Sequence, residues 1–140
     1  MEICIDFDGT CVTHEFPKIG KDIGAVPVLK KLVEAGHKLI LFTMRSDRPT
    51  HIGQQREDIQ DVTGMFLTDA INWFNENQIP LYGINSNPNQ GWTTSPKAYA
   101  QLYIDDAALG CPIMFNSELS NRPFVDWEEV EIYLEDHKIL

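Results

Sequence analysis

Hydrophobic positions along the chain alternate between short continuous runs and longer stretches with helical spacing. Ile3-Cys4-Ile5 is an apolar run that meets Asp6-Phe7-Asp8-Gly9-Thr10 at once, as a buried strand ending in a turn would. Residues 11–24 are irregular, broken by Pro17, Gly20 and Gly24. From Ala25 to Gly36 the spacing of Val28, Leu29, Leu32 and Val33 predicts a helix, with Pro27 in its first turn and Gly36 at its stop. Lys38 to Thr43 is apolar until its last residue, as expected of a central parallel strand. Met44 to Pro49 reads as a loop carrying two arginines, and Thr50 to Asn77 as helix interrupted near Gly64, with Phe66, Ala70, Ile71, Trp73 and Phe74 on its core face. A third strand is expected over Ile79–Ile84, a polar loop over Asn85–Pro96 and room for one turn over Lys97–Gln101. Leu102-Tyr103-Ile104 is a short strand, Pro112–Phe115 a fifth, and Asp126 caps a last helix running to about His137 with an acidic outer face. The order of elements predicts one α/β domain over residues 1–140, built on an open, mostly parallel Rossmann-like sheet with helices on both faces.

Composition narrows the class. A chain of 140 residues with 43% hydrophobic and 23% charged residues has the makings of a single core and none of the marks of disorder. Its net charge of −10, with no cluster of Lys and Arg, argues against a nucleic-acid partner. No apolar stretch approaches the roughly 20 residues that span a bilayer, so no membrane partner is expected. The three cysteines form no Cys-x-x-Cys pair and Met1 leads straight into the first strand, which together fit a reducing, cytoplasmic setting. The four histidines show no metal spacing and read as surface residues.

Two strand ends carry acid pairs, Asp6/Asp8 and Asp105/Asp106, and a third carries Thr43. In an open α/β sheet ligands gather beyond the carboxyl ends of the strands, where these groups would meet. Carboxylates a few Å apart repel and are forced to take up protons unless a cation lies among them. Oxygen-only donors point to Mg²⁺, which shares its shell with water and substrate phosphate.

With these motifs in order, the chain resembles the haloacid dehalogenase superfamily, and within it the Mg²⁺-dependent aspartyl-phosphate phosphatases. The likeness rests on Asp6-x-Asp8-Gly9-Thr10, on the apolar strand ending at Thr43, on Lys97, and on Tyr103-Ile104-Asp105-Asp106. It implies Asp6 as nucleophile and Asp8 as the group that protonates the leaving oxygen and then activates water. It implies Thr43, with the backbone N–H of Met44, as donors to a phosphoryl oxygen, and Lys97 as the cation that neutralises developing charge. It implies a Mg²⁺ site made by Asp6, Asp105 and Asp106 with the backbone carbonyl of Asp8.

Larger relatives insert a cap domain; here the spacing leaves no room for one. The site would then lie open, to a bulky phosphorylated substrate or to a lid lent by a neighbouring subunit of a homo-oligomer. Arg45 is expected to grip a second anionic group of the substrate, and His14 and Lys18 to touch it from the short flap of residues 11–20. The substrate expected is a small phosphorylated molecule. Two alternatives stand beside this phosphatase: a phosphotransferase or polynucleotide 3′-phosphatase with the same residues, and a non-catalytic Mg²⁺-binding domain.

Overall fold

The computed structural model describes residues 1–51 and 62–140. In chain order the elements are β1 (Glu2–Ile5), α1 (Ala25–Glu34), β2 (Lys38–Leu41), β3 (Asp47–Arg48), β4 (Gly64–Met65), α2 (Phe66–Glu76), β5 (Gly83–Ile84), β6 (Leu102–Ile104), β7 (Ile113–Met114), β8 (Phe124–Val125) and α3 (Trp127–Asp136). Four strands make an all-parallel sheet in the order β5-β2-β1-β6, which puts β1 in its interior. Ile5 lies level with Leu41 on one side and Ile104 on the other. The ladder runs one step further: the Asp6 N–H donates to the Ile104 carbonyl at 3.0 Å, and the Phe42 N–H to the Ile5 carbonyl at 2.8 Å. Asp6, Thr43 and Asp105 therefore leave the sheet along one edge, as the register requires.

Strand alternation sorts the apolar residues into two layers. Ile3, Ile5, Leu39, Leu41 and Ile104 face the main core. There they meet Ala25, Val28, Leu29 and Leu32 of α1, Ala70 and Phe74 of α2, and Trp127, Val130 and Leu134 of α3. Cys4 and Ile40 point the other way, against Ala98, Phe42, Tyr82 and Ala100. Among the described residues all three helices thus lie on one face, where the sequence predicts helices on both. The continuous apolar runs correctly signal burial on two sides, but irregular chain around Ala98–Ala100 supplies the second cover.

Each helix follows from its local sequence. The α1 residues Ala25, Val28, Leu29 and Leu32 recur at helical spacing, and their burial contributes about 1.5–3 kcal/mol for each large side chain. Gly36 follows at φ 93°, a conformation that ends a helix at little steric cost for glycine. In α3 the Asp126 side chain accepts the Glu129 N–H, and Glu128 and Glu129 place negative charge in the first turn, where the helix dipole favours it.

Other elements depart from expectation. Of the helix predicted over Thr50–Asn77, residues 52–61 lie outside the described residues, and the helix begins only at Phe66 after the short strand β4, which pairs antiparallel with β3. The third strand is trimmed to Gly83–Ile84; Pro80, which has no N–H to give, lies ahead of it, and the first ladder bond there comes from the Tyr82 N–H to Leu39. Lys97–Gln101 forms no helical turn. Ile113–Met114 is extended as expected, but it pairs antiparallel with β8 in a separate ribbon, so β6 is an edge of the main sheet. No helix among the described residues is long and apolar enough to cross a membrane.

Candidate active site

The turn after β1 is built around Thr10, which is fully buried. Its hydroxyl donates to Asp6 Oδ2 at 2.9 Å and accepts the Asp106 N–H at 3.1 Å, so one side chain ties the two acid-bearing strand ends together. The Thr10 carbonyl accepts the indole N–H of Trp127 at 2.7 Å, and the Gly9 carbonyl accepts the Val125 N–H at 2.9 Å. The start of α3 thereby braces the turn from beneath. Gly9 sits at φ 80°, and a Cβ there would come within 2.0 Å of His14 Nε2 and 2.6 Å of an Asp106 carboxylate oxygen. Only glycine allows both the left-handed turn and the close approach of these two side chains.

Asp6, Asp105 and Asp106 each offer a carboxylate oxygen, and the three oxygens lie within 4.8 Å of one another. All three residues are half-buried. Burial, and next the charge of Asp105, push the Asp6 carboxyl up to about 7, against the opposing pull of its hydrogen bonds from Thr10 and the Phe7 backbone. The cluster is short of positive charge at its centre, and its donors are all oxygen. Both properties fit a hard divalent cation such as Mg²⁺. Asp105 also accepts the Ala107 N–H at 2.8 Å, which fixes one of its oxygens.

Asp8, expected at the same centre, is not one of this carboxylate trio. Its two oxygens accept the Arg45 Nε–H and Nη2–H, each at 2.8 Å. Arg45 is itself buried, 3% exposed, and the structure puts it to a different use from the expected grip on a substrate anion. Its remaining donors go to the carbonyls of Lys18, Phe66 and Pro17 at 2.7, 3.2 and 3.4 Å. All five guanidinium N–H groups are thus engaged by the protein. The preceding Met44 points outward, 98% exposed.

The other expected residues are distributed unevenly. Thr43 stands at the end of β2 with its backbone N–H given to Asn85 Oδ1 at 2.8 Å, and its Oγ1 accepts the Arg45 N–H at 3.1 Å. Among the described residues the hydroxyl hydrogen has no acceptor. Lys97 is exposed, its ammonium 5.6 Å from the centre of the Tyr103 ring, and it pairs with no carboxylate among the described residues. Tyr103 in turn lines a cavity of about 180 Å³ shared with Asp6, Phe42 and Asp105. A second cavity, of about 290 Å³, is walled by Asp8, Phe16, Met44, Arg45 and Phe66.

His14, which the sequence offers both as a surface histidine and as a flap contact at the site, lies at the acid cluster. It is not a surface residue: Nε2 lies 2.7 Å from Asp106 Oδ2, with the side chain 14% exposed. Its only signal in the sequence is its place, four residues after Thr10 in the flap.

Fold and site together define a parallel α/β protein with a carboxylate centre at its strand ends, suited to a divalent cation and phosphoryl chemistry. Among solved structures the chain is similar to a conserved protein of Bacteroides thetaiotaomicron, with 35% identity over 79% of this chain and 78% of that one and a TM-score of 0.60. The chain belongs to the family of that conserved protein. No protein-family model matches the chain, and no curated protein does.

Proposed function

We propose that the protein is a capless, Mg²⁺-dependent phosphatase of the haloacid dehalogenase superfamily that hydrolyses a phosphomonoester through an aspartyl-phosphate on Asp6. The observation that carries this reading is the convergence of Asp6, Asp105 and Asp106 within 4.8 Å, directly after the two strands whose register aligns them. Bound there, Mg²⁺ would screen the carboxylates from the incoming phosphate and hold it for in-line attack.

The chain's own groups then divide the work. An Asp6 oxygen attacks phosphorus, and the bond to the leaving oxygen breaks as that oxygen takes a proton from Asp8. In the second step water attacks phosphorus and gives its proton to Asp8; the bond to Asp6 breaks and inorganic phosphate leaves. The Thr43 hydroxyl hydrogen, without an acceptor among the described residues, supports a role as donor to a phosphoryl oxygen, with the Met44 N–H beside it. Lys97 would reach the phosphoryl group by leaving the Tyr103 ring for the cavity that Tyr103 shares with Asp6. The leaving group would occupy the cavity beside Asp8, whose Phe16, Met44 and Phe66 walls favour a partly apolar molecule.

The test is hydrolysis of 4-nitrophenyl phosphate by the full chain with Mg²⁺, with EDTA, and as the Asp6→Asn variant. Activity should vanish in the last two. Undiminished turnover by Asp6→Asn would overturn the mechanism. A second reading, a cation-binding domain without turnover, is favoured by one arrangement: Lys97 lies off the acids, over Tyr103. Tight Mg²⁺ binding with no hydrolysis across a broad panel of phosphoesters would establish it.

A further inference from the structure

Arg45 has no task in the mechanism above, yet it is the most heavily bonded side chain near the site. Its guanidinium joins three stretches of chain to its own. It holds Asp8 in the turn after β1 through two parallel bonds of 2.8 Å, and the Phe66 carbonyl at the start of α2 through a third of 3.2 Å. It holds the flap through the carbonyls of Pro17 and Lys18, and its own backbone N–H is fixed by Thr43 Oγ1. The rings of Phe7 and Phe16 lie on it with centroids 5.1 and 5.2 Å from Cζ. A planar fork with five donors suits this set, and an ammonium of the same charge would satisfy only part of it.

Asp8 therefore does not choose its rotamer alone. Turning its carboxylate away from Arg45 would leave two buried donors unpaired, a cost the flap and α2 would share by rearranging around the guanidinium. The flap is also fixed at its other end, where His14 meets Asp106. We propose that Arg45 is a positioning residue: it sets the direction of the Asp8 carboxylate and makes Asp8 and the Phe16–Lys18 flap move as one unit. The inference rests on the phosphatase reading for its kinetic consequence, though the mechanical coupling does not need it. In kinetic terms, Asp8 presents its oxygens to substrate and water only when the flap stands where Arg45 holds it.

Two measurements test this on the full chain. The first is rapid-quench kinetics of Arg45→Lys with 4-nitrophenyl phosphate, a substrate whose leaving group needs little protonation. Hydrolysis of the phosphoenzyme should slow by roughly tenfold or more while its formation slows less, giving an enlarged burst. Equal slowing of both steps, or of neither, would refute the positioning role. The second needs no activity. The Lys18 N–H, bonded to the Glu15 carbonyl at 2.9 Å, reports on the flap through hydrogen exchange. Asp8→Asn, which alters only the side chain that meets Arg45, should speed this exchange when made in the wild type and add nothing when made in Arg45→Lys. Unchanged exchange in Asp8→Asn would sink the coupling, and this arm stands even where Arg45→Lys fails to fold. A wild type that forms no phosphoenzyme would defeat the phosphatase reading and leave the exchange result to decide the coupling.

Discussion

Replacing Asp6 with asparagine removes the carboxyl that suffers most from burial and from its neighbour Asp105, and the effect on stability has a definite sign. The folded state holds the Asp6 proton up to about pH 7, while the unfolded chain releases it near 3.8. Between those values the folded protein binds more protons than the unfolded one, so its stability falls as pH rises and the loss is complete above pH 7. At about 1.4 kcal/mol for each pH unit of that interval, the cost reaches on the order of 4 kcal/mol in cation-free protein at pH 8. Asparagine is spared it, and can still accept the Thr10 hydroxyl bond. Asp6→Asn should therefore be the more stable protein in EDTA at pH 8, with a melting midpoint higher by roughly 10 °C for a chain of this size. At pH 3.5 the difference should shrink towards zero. Saturating Mg²⁺ should stabilise the wild type by mass action and erase or reverse the order. Thermal melts of both proteins at the two pH values, with and without Mg²⁺, decide the matter. A variant less stable than the wild type in EDTA at pH 8, or a gain that ignores pH, would refute the account of the acid cluster.

Two further substitutions probe the frame around the acids. Gly9→Ala places a methyl group against His14 and Asp106 at a positive φ, and should destabilise the protein by about 1–3 kcal/mol and weaken Mg²⁺ binding, as urea melts and calorimetric titration would show. Trp127→Phe keeps the packing of α3 but strips the Thr10 carbonyl of its buried donor; a loss of about 1–3 kcal/mol is expected in urea melts, with a weaker cation site despite a change outside it.

What the sequence disclosed about the site was its local chemistry. Asp6 and Asp105 follow apolar strands directly, so once those strands pair in parallel their ends must meet. Asp126 could be read as a cap because capping is a contact within one turn. Pro27 and Gly36 likewise mark α1 by rules that span a few residues. Arg45 could not be read in the same way: an arginine after a strand-end threonine has the same sequence whether its fork meets substrate or the protein, and the choice depends on carbonyls 21 to 28 residues away. The place of His14 depends on the backbone of Gly9 turning to admit it. The strand at Ile113–Met114 was legible, but not its partner, since Phe124–Val125 competes for its edge. The direction taken by Lys97 depends on Tyr103, an aromatic neighbour on β6.

The bond from the Trp127 indole to the Thr10 carbonyl spans 117 residues, so the turn and its brace are made far apart in time. The turn that carries Asp6 is synthesised 117 residues ahead of the indole that braces it. At roughly 5–20 residues per second, the turn waits about 6–23 s before its brace has been synthesised. For most of that interval Asp105 and Asp106 have not been made, and Asp6 stands on an unfinished chain without the other acids of its cluster. A nascent chain arrested near residue 120 would carry every acid of the site and lack the brace that holds its first turn.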